Sequence, residues 1–302
     1  MPNLKEVRVR IQSTISTQQI TSVMKMVSAS KLRKAQDVIL RMRLYSGKLK
    51  EIMDNVISSL EASVGGDFTK ERPAKNILFV VITSNRGLCG AFNTNLLRLA
   101  MRIINEKYSE QKRNNNLQIL CIGKKGQDFF RKNGYKIFSS HNQLFNNLNY
   151  ESASEIAETI MKEFLAKNFD RVELFYNQFK NAASQILANE QFLPVVYSSI
   201  QPEKTMHIKS SVKKIHSNYI YDPNQEKIVK EIIPRTLKIQ LYKSLLDSHA
   251  AEHGARMTAM HKATDNANEI LRDLRLSYNK TRQAIITKEI LEIVGGAEAL
   301  KN

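Results

Sequence analysis

The run from Pro234 to Val294 limits what this chain can fold into more than any other stretch. No proline follows its first residue, and Gly254 is its one internal glycine. Alanine, leucine, lysine, arginine and glutamate dominate it, residues that lose little rotamer freedom in a helix. Pro234 suits a helix start, where its missing N–H costs nothing, and Gly295-Gly296 offers a stop. At 1.5 Å per residue, about 60 residues make a helix of roughly 90 Å. A helix of that length cannot bury itself in one small core and needs a second long element beside it.

The N-terminus supplies one. Alternating steps of three and four from Leu4 pass through Val7, Ile11, Thr14, Gln18, Thr21, Lys25 and Ser28. They continue through Leu32, Ala35, Ile39, Met42, Ser46, Leu49, Met53, Val56 and Leu60. This is a heptad seam, apolar at its start and from Leu32 onward, and polar between. The C-terminal run has steps of its own at Leu237, Leu241 and Leu245, then Leu271, Leu274, Tyr278 and Ile285. The expectation is two terminal helices closing as a long antiparallel coiled coil, the first from about Asn3 to Leu60, with the middle of the chain inserted between them.

That middle changes period. Asn76–Thr83 is a continuous apolar run of strand length, as a parallel strand buried on both faces requires. Further strands are expected at Leu117–Ile122, Tyr135–Phe138, Arg171–Tyr176 and Ile186–Tyr197, with Pro194 marking an edge or an end. Helices are expected at Ala91–Lys107, Gln127–Asn133 and Ser154–Asn168, with a polar loop at Lys112–Asn116. Asn218–Pro223 could add an edge strand. Alternating strands and helices indicate a Rossmann-like open α/β sheet. The fold class is therefore α/β, with expected domains at 1–65 (first coiled-coil helix), 74–200 (sheet), 201–232 (connection) and 233–302 (second helix).

Charge narrows the partners. Lys plus Arg number 46 against 29 Asp plus Glu, a formal +17, which favours an acidic partner: nucleic acid, an anionic surface or acidic protein loops. The basic residues are spread, with Lys25, Lys31, Arg33, Lys34, Arg41 and Arg43 along the first helix, where a solvated helix face would also carry them. No aromatic–basic surface motif argues for nucleic acid. Cys89 and Cys121 are two distant cysteines, which fits a reducing compartment and not a disulfide framework. The opening MPNLKEVRVRIQ has no apolar core of signal-peptide length, and no run is long and apolar enough to span a bilayer.

Three stretches could carry chemistry. Ser84–Gly90 follows a strand and opens a helix, the place where α/β folds bind phosphate. It offers Gly87-x-x-Gly90 without the third glycine of a dinucleotide loop and without a following Gly-Lys-Ser/Thr. Gly87 and Gly90 then serve a tight turn and Arg86 a protein contact. His249-Ala250-Ala251-Glu252-His253 spells an inverted zinc-peptidase pattern, with His261 further along nearly the same face. A catalytic zinc needs a third ligand, a cleft and supporting hydrogen bonds, which a bare helix does not supply. Gly123–Gly126 reads as a basic turn.

Motifs in three blocks resemble the γ subunit family of F-type ATP synthases over essentially the whole chain. The first block holds Ile20-Thr21, Met24, Met26-Val27 and Ala29–Ala35; the second holds Ser84–Asn93. The third holds Ser248, Glu252-His253, Ala255–Met257, Ala259-Met260, Ala263–Ala267, Tyr278–Lys280, Arg282–Ala284, Ile286–Ile290 and Glu292–Val294. The resemblance implies a central rotor shaft that couples ion flow through a membrane c-ring to ATP synthesis or hydrolysis, without catalysing a reaction itself. Implied partners are three α and three β subunits, the ε subunit and the c-ring, and the membrane only through that ring. The resemblance implies no cofactor on this chain, ATP, ADP and Mg being bound by α and β. It places Met24 and Lys25 near an acidic β loop and Arg282 and Gln283 against another β loop. Ile285, Ile286, Ile290, Ile293 and Val294 would form a tip turning in an apolar collar. The expected location is the cytoplasmic face of a bacterial inner membrane, as a peripheral protein.

Overall fold

The computed structural model describes residues 4–58, 67–195 and 225–299. It divides into two compact units, one of Met1–Ser30 with Arg256–Asn302 and one of Lys31–Ala255. Two helices contribute to both: α1 (Leu4–Ser58) and α6 (Gln225–Ala299). The seam residue Leu60, the side chains of Met53 and Val56, and the suggested edge strand at Asn218–Pro223 lie outside the described residues.

The larger unit is built on a five-stranded sheet in the order β3-β2-β1-β4-β5. These strands are β1 (Ile77–Ile82), β2 (Leu117–Ile122), β3 (Lys136–Ser140), β4 (Arg171–Phe179) and β5 (Gln185–Leu193). The first four are parallel, and β5 runs antiparallel to β4 at one edge. Central β1 is buried at all six positions, as its unbroken apolar run requires once helices cover both faces. Between the strands lie α2 (Phe92–Lys107), α3 (Ser109–Arg113), α4 (Lys124–Lys132) and α5 (Tyr150–Leu165).

The cores on the two sheet faces differ in origin. One joins α2 and Phe130 of α4 to Phe79, Ile119 and Phe175. The other joins α5 and the C-terminal helix, through Ile233, Leu237, Leu241 and Leu245, to Leu78, Val80 and Leu174. Leu237, Leu241 and Leu245 therefore pack on the sheet, where the sequence pattern has them as steps of a helix–helix seam. A row spaced by four residues suits either surface, and the large apolar face of β1 and β4 takes it.

Several boundaries depart from expectation. α6 begins at Gln225 and carries Pro234 inside it. An internal proline costs about 3 kcal/mol or more. Ile233 and Leu237, both nearly inaccessible on the sheet core, lie on either side of it and offset that cost. The helix also passes through Gly295-Gly296 to Ala299. Neither glycine takes the left-handed conformation of a helix stop, so each weakens the helix without ending it. Lys112 and Arg113, inside the expected polar loop, are the last residues of α3, and Lys124–Gly126, expected as a turn, open α4.

In the smaller unit α1 and α6 are antiparallel. Arg8 reaches Tyr278, Thr21 reaches Thr264 and Lys25 reaches His261, so each advance along one helix is matched, to within one residue, by a retreat along the other. Val7, Thr21 and Ser28 are buried, with Ile11, Thr14, Gln18 and Lys25 half-buried. The polar part of the seam is still the inward face.

Candidate functional site

The register of the helix pair determines where it ends. With Arg8 opposite Tyr278 and the described part of α1 beginning at Leu4, α6 runs past the described residues of α1 shortly after Tyr278. Burial changes there. Leu271 is buried and Leu274 and Tyr278 are half-buried, whereas every residue from Arg282 to Ala297 is exposed. The exposed tip includes Ile285, Ile286, Ile290, Ile293 and Val294, and Ile293 is 71% accessible. A single helix with that much bare apolar surface has the character of a surface that another protein covers. Arg282 and Gln283 sit at its base, exposed to solvent.

Below the tip the inward positions are thin and polar. The Thr264 hydroxyl lies 2.9 Å from that of Thr21, which itself donates to the Gln18 carbonyl. Such short side chains let two helices approach closely while keeping their hydroxyls satisfied. Met24 and Lys25 are half-buried. Lys25 Nζ lies 3.2 Å from His261 Nδ1, and an ammonium has only donors, so that nitrogen accepts. Arg8 donates to the Tyr278 hydroxyl at 3.0 Å, and this bond holds the phenol below its ordinary pKa.

In the sheet unit, the turn after β1 closes on itself. The Asn93 side chain accepts from Ser84 N at 3.0 Å and donates to Ser84 Oγ at 2.7 Å, and Ser84 Oγ bonds the Arg86 carbonyl. Asn85 ties the turn to Asn142 O and Lys124 N. Gly90 has φ 59°, the left-handed region open to glycine, while Gly87 is half-buried and Arg86 projects outward. The turn's polar groups are thus engaged with its own side chains. Burial pushes the Cys121 thiol up to about 12, and Cys89 is buried inside the turn, so both behave as small core residues.

The histidines of the zinc-like pattern face each other, with Nε2 atoms 3.2 Å apart and the His249 ring stacked on Phe145. Among the described residues, no three metal-ligating side chains converge, and no helix is long and apolar enough to cross a membrane.

Sequence reasoning did not anticipate a buried polar seat in the sheet unit. Asp247 on α6 is fully buried; its Oδ1 accepts from Arg43 of α1 at 3.0 Å, and the same guanidinium nitrogen donates to the Phe179 carbonyl at 2.7 Å. Burial raises the Asp247 pKa, with Arg43 pulling it down and Glu190 adding to the rise. Tyr176 donates to Glu190 at 2.6 Å, and Gln240 of α6 donates to the other oxygen of the same carboxylate at 3.2 Å. The available signal was Gly254, the one glycine in a run of good helix formers. A Cβ there would lie 3.0 Å from the Ala182 carbonyl oxygen.

These features define a class by fold: terminal helices paired antiparallel, with a mostly parallel sheet inserted between them in sequence. Solved chains share it. A chain of the Euglena gracilis mitochondrial ATP synthase, in an assembly described as OSCP, F1 and c-ring, superposes with a TM-score of 0.66 at 20% identity. That match covers 98% of this chain and 94% of that one. A chain described as rotor from the same organism gives 0.62 at 19% identity, over 94% and 98%.

Sequence comparison goes further. A family model described as ATP synthase matches residues 3–300. The ATP synthase gamma chain of Cytophaga hutchinsonii is 51% identical over all of both chains, and that of Flavobacterium johnsoniae 51% over 99% of each. The chain belongs to the ATP synthase gamma-chain family.

Proposed function

We propose that this chain is the central shaft of an F-type ATP synthase, turning inside a ring of three α and three β subunits and carrying no catalytic site of its own. The observation that supports this most directly is the change at Arg282, where a two-helix unit gives way to a single helix with an exposed apolar surface. In this reading Ile285, Ile286, Ile290, Ile293 and Val294 turn in an apolar collar, and Arg282 and Gln283 engage a β loop. Met24 and Lys25 stand near an acidic β loop, and Arg86, at the Gly87–Gly90 turn, makes a further protein contact. ATP, ADP and Mg bind to α and β, and the ε subunit and c-ring engage the sheet unit, which holds the protein at the cytoplasmic face of a bacterial inner membrane.

A shaft without three-fold symmetry presents a different face to each β subunit and so stabilises a different conformation in each. This is differential binding of one effector to alternative states. The basic helix surfaces suit contacts that must break repeatedly, since an exposed ion pair contributes about 0–1 kcal/mol. The test is reconstitution of this chain with its α and β subunits, followed by ATPase assay and single-particle imaging. A rod on the axis of a six-membered ring, with turnover that depends on the chain, is expected. A chain that stays apart and leaves turnover unchanged refutes the reading. Within that complex, Arg282→Ala with Gln283→Ala should impair gradient-driven synthesis while the subunit stays folded by circular dichroism; unchanged synthesis removes both residues from the contact.

A further inference from the structure

A shaft must be gripped by the domain through which it is driven, and the larger unit contains a grip of definite composition. The antiparallel β4–β5 hairpin meets the two helices at three successive points. Near the middle of β5, Glu190 accepts from Gln240 of α6. At the end of β4, the Phe179 carbonyl and Asp247 of α6 accept from a single nitrogen of Arg43, which comes from α1. At the hairpin turn, the Ala182 backbone lies against Gly254, so close that an added Cβ would meet three of its backbone atoms within 3.5 Å. Gln240, Asp247 and Gly254 are seven residues apart, two helical turns each, and so form one line along α6.

Each point has the chemistry of a joint rather than of a general packing surface. Asp247 is fully buried, which is costly for a carboxyl unless a fixed partner holds it. Arg43 is that partner, and by bonding two elements at once it fixes α1, α6 and β4 in one geometry. A glycine against a main chain allows contact at backbone distance, with no flexible side chain between to yield under load. The β4–β5 pairing behind these contacts extends over eight register positions, so the hairpin cannot readily bend away.

We propose that the β4–β5 hairpin, through Arg43–Asp247 and the Ala182–Gly254 contact, is the torque joint fastening the sheet to both helices, with Arg43 and Asp247 as its positioning residues. The inference rests on the shaft reading. If the joint works as a rigid fastening, weakening it lets the helices lag behind the sheet, and turning force is lost before it reaches the ring. Gradient-driven synthesis needs force passed from sheet to helices. Hydrolysis in the ring needs only the helices, so the two activities separate.

The experiment uses the complete membrane-bound complex carrying Arg43→Gln with Asp247→Asn, and measures synthesis and hydrolysis in the same preparation. A second pair, Ala182→Cys with Gly254→Cys, allows the hairpin to be cross-linked to α6 by oxidation and released by reduction. The expected result is a several-fold fall in the synthesis-to-hydrolysis ratio for the polar double variant, with hydrolysis within two-fold of the unaltered complex. Adding the oxidised cross-link should restore the ratio, and reduction should abolish the restoration. An unchanged ratio, or a fall in both activities together, overturns the joint. If the polar variant does not assemble, the cysteine pair in the otherwise unaltered chain decides: a Cβ at position 254 pushes on the Ala182 backbone, so a synthesis-to-hydrolysis ratio that is low when reduced and restored on oxidation upholds the fastening, and a ratio equal in both states, or lower when oxidised, overturns it. The unaltered chain is the control for the underlying reading. If it fails to support turnover in the ring, the shaft assignment falls, whatever the variants do.

Discussion

The C-terminal helix passes through two very different surroundings. From Leu237 to Gly254 it is largely enclosed: Ser244 to Ser248 are buried in succession, as are Ala250 to Gly254, and no residue of the span is fully exposed. In the smaller unit, from Met260 to Tyr278, only one stripe is covered, and from Arg282 to Ala297 every residue is exposed. The first stretch is a core element, held by an apolar face on the sheet and a polar seat beside it. The second is a surface element whose stability comes from helix propensity and one thin seam. A single secondary structure thus carries one region that resists substitution and one whose side chains are available for other proteins.

Substitutions should expose that difference most at Leu241, which is fully buried against the sheet. Leu241→Ala should cost about 2–5 kcal/mol by denaturant titration. The same chemistry at the tip, Ile293→Ala, should fall within about 0.5 kcal/mol of the starting protein. Comparable losses at the two positions would mean that the tip is not free in the isolated chain.

Asp247 should sharpen the comparison through pH. Its folded pKa is raised, with burial the leading cause, so the folded protein binds this proton more tightly than the unfolded chain does. The stability from that linkage is fully present below the ordinary aspartate range and is lost as pH rises through the raised value. Asp247→Asn does not titrate. The stability of the starting protein relative to the Asn variant should therefore decline as pH rises across that interval, measured by denaturation at a series of pH values. A difference independent of pH would show that the carboxyl is not desolvated.

Smaller effects belong to the seam. Thr21→Val removes one hydroxyl of the Thr21–Thr264 pair and should cost about 1 kcal/mol, read from the thermal midpoint. The smallest concerns an exposed contact: Arg8→Ala should return Tyr278 upward toward the ordinary phenol range, followed by NMR titration of labelled tyrosine. An unmoved Tyr278 would mean that the Arg8 bond does not form in solution.

Much of this was legible beforehand because it depends on local periodicity. The heptad steps from Leu4 to Leu49 predict the inward face of α1 position by position, including the polar steps Thr14, Gln18, Thr21, Lys25 and Ser28, none of which is fully exposed. The apolar run before Thr83 predicts a doubly covered strand, and β1 is one. The tip was legible only by resemblance. Its isoleucines have the same composition whether covered or bare, and exposure depends on where the opposite helix ends.

Pattern alone established that there are two long helices, that an alternating strand–helix segment lies between them, and which face of α1 turns inward. Those properties follow from side-chain spacing along one chain, which the sequence records completely. Tertiary structure decided the rest. Leu237, Leu241 and Leu245 lie on the sheet and not on α1, Pro234 stays inside a helix, and Arg43, Phe179 and Asp247 meet although 136 and 204 residues separate Arg43 from its two partners. The reason is physical: an apolar row has no label for the surface it will cover, and a buried charge is tolerable only where folding brings a distant partner to it.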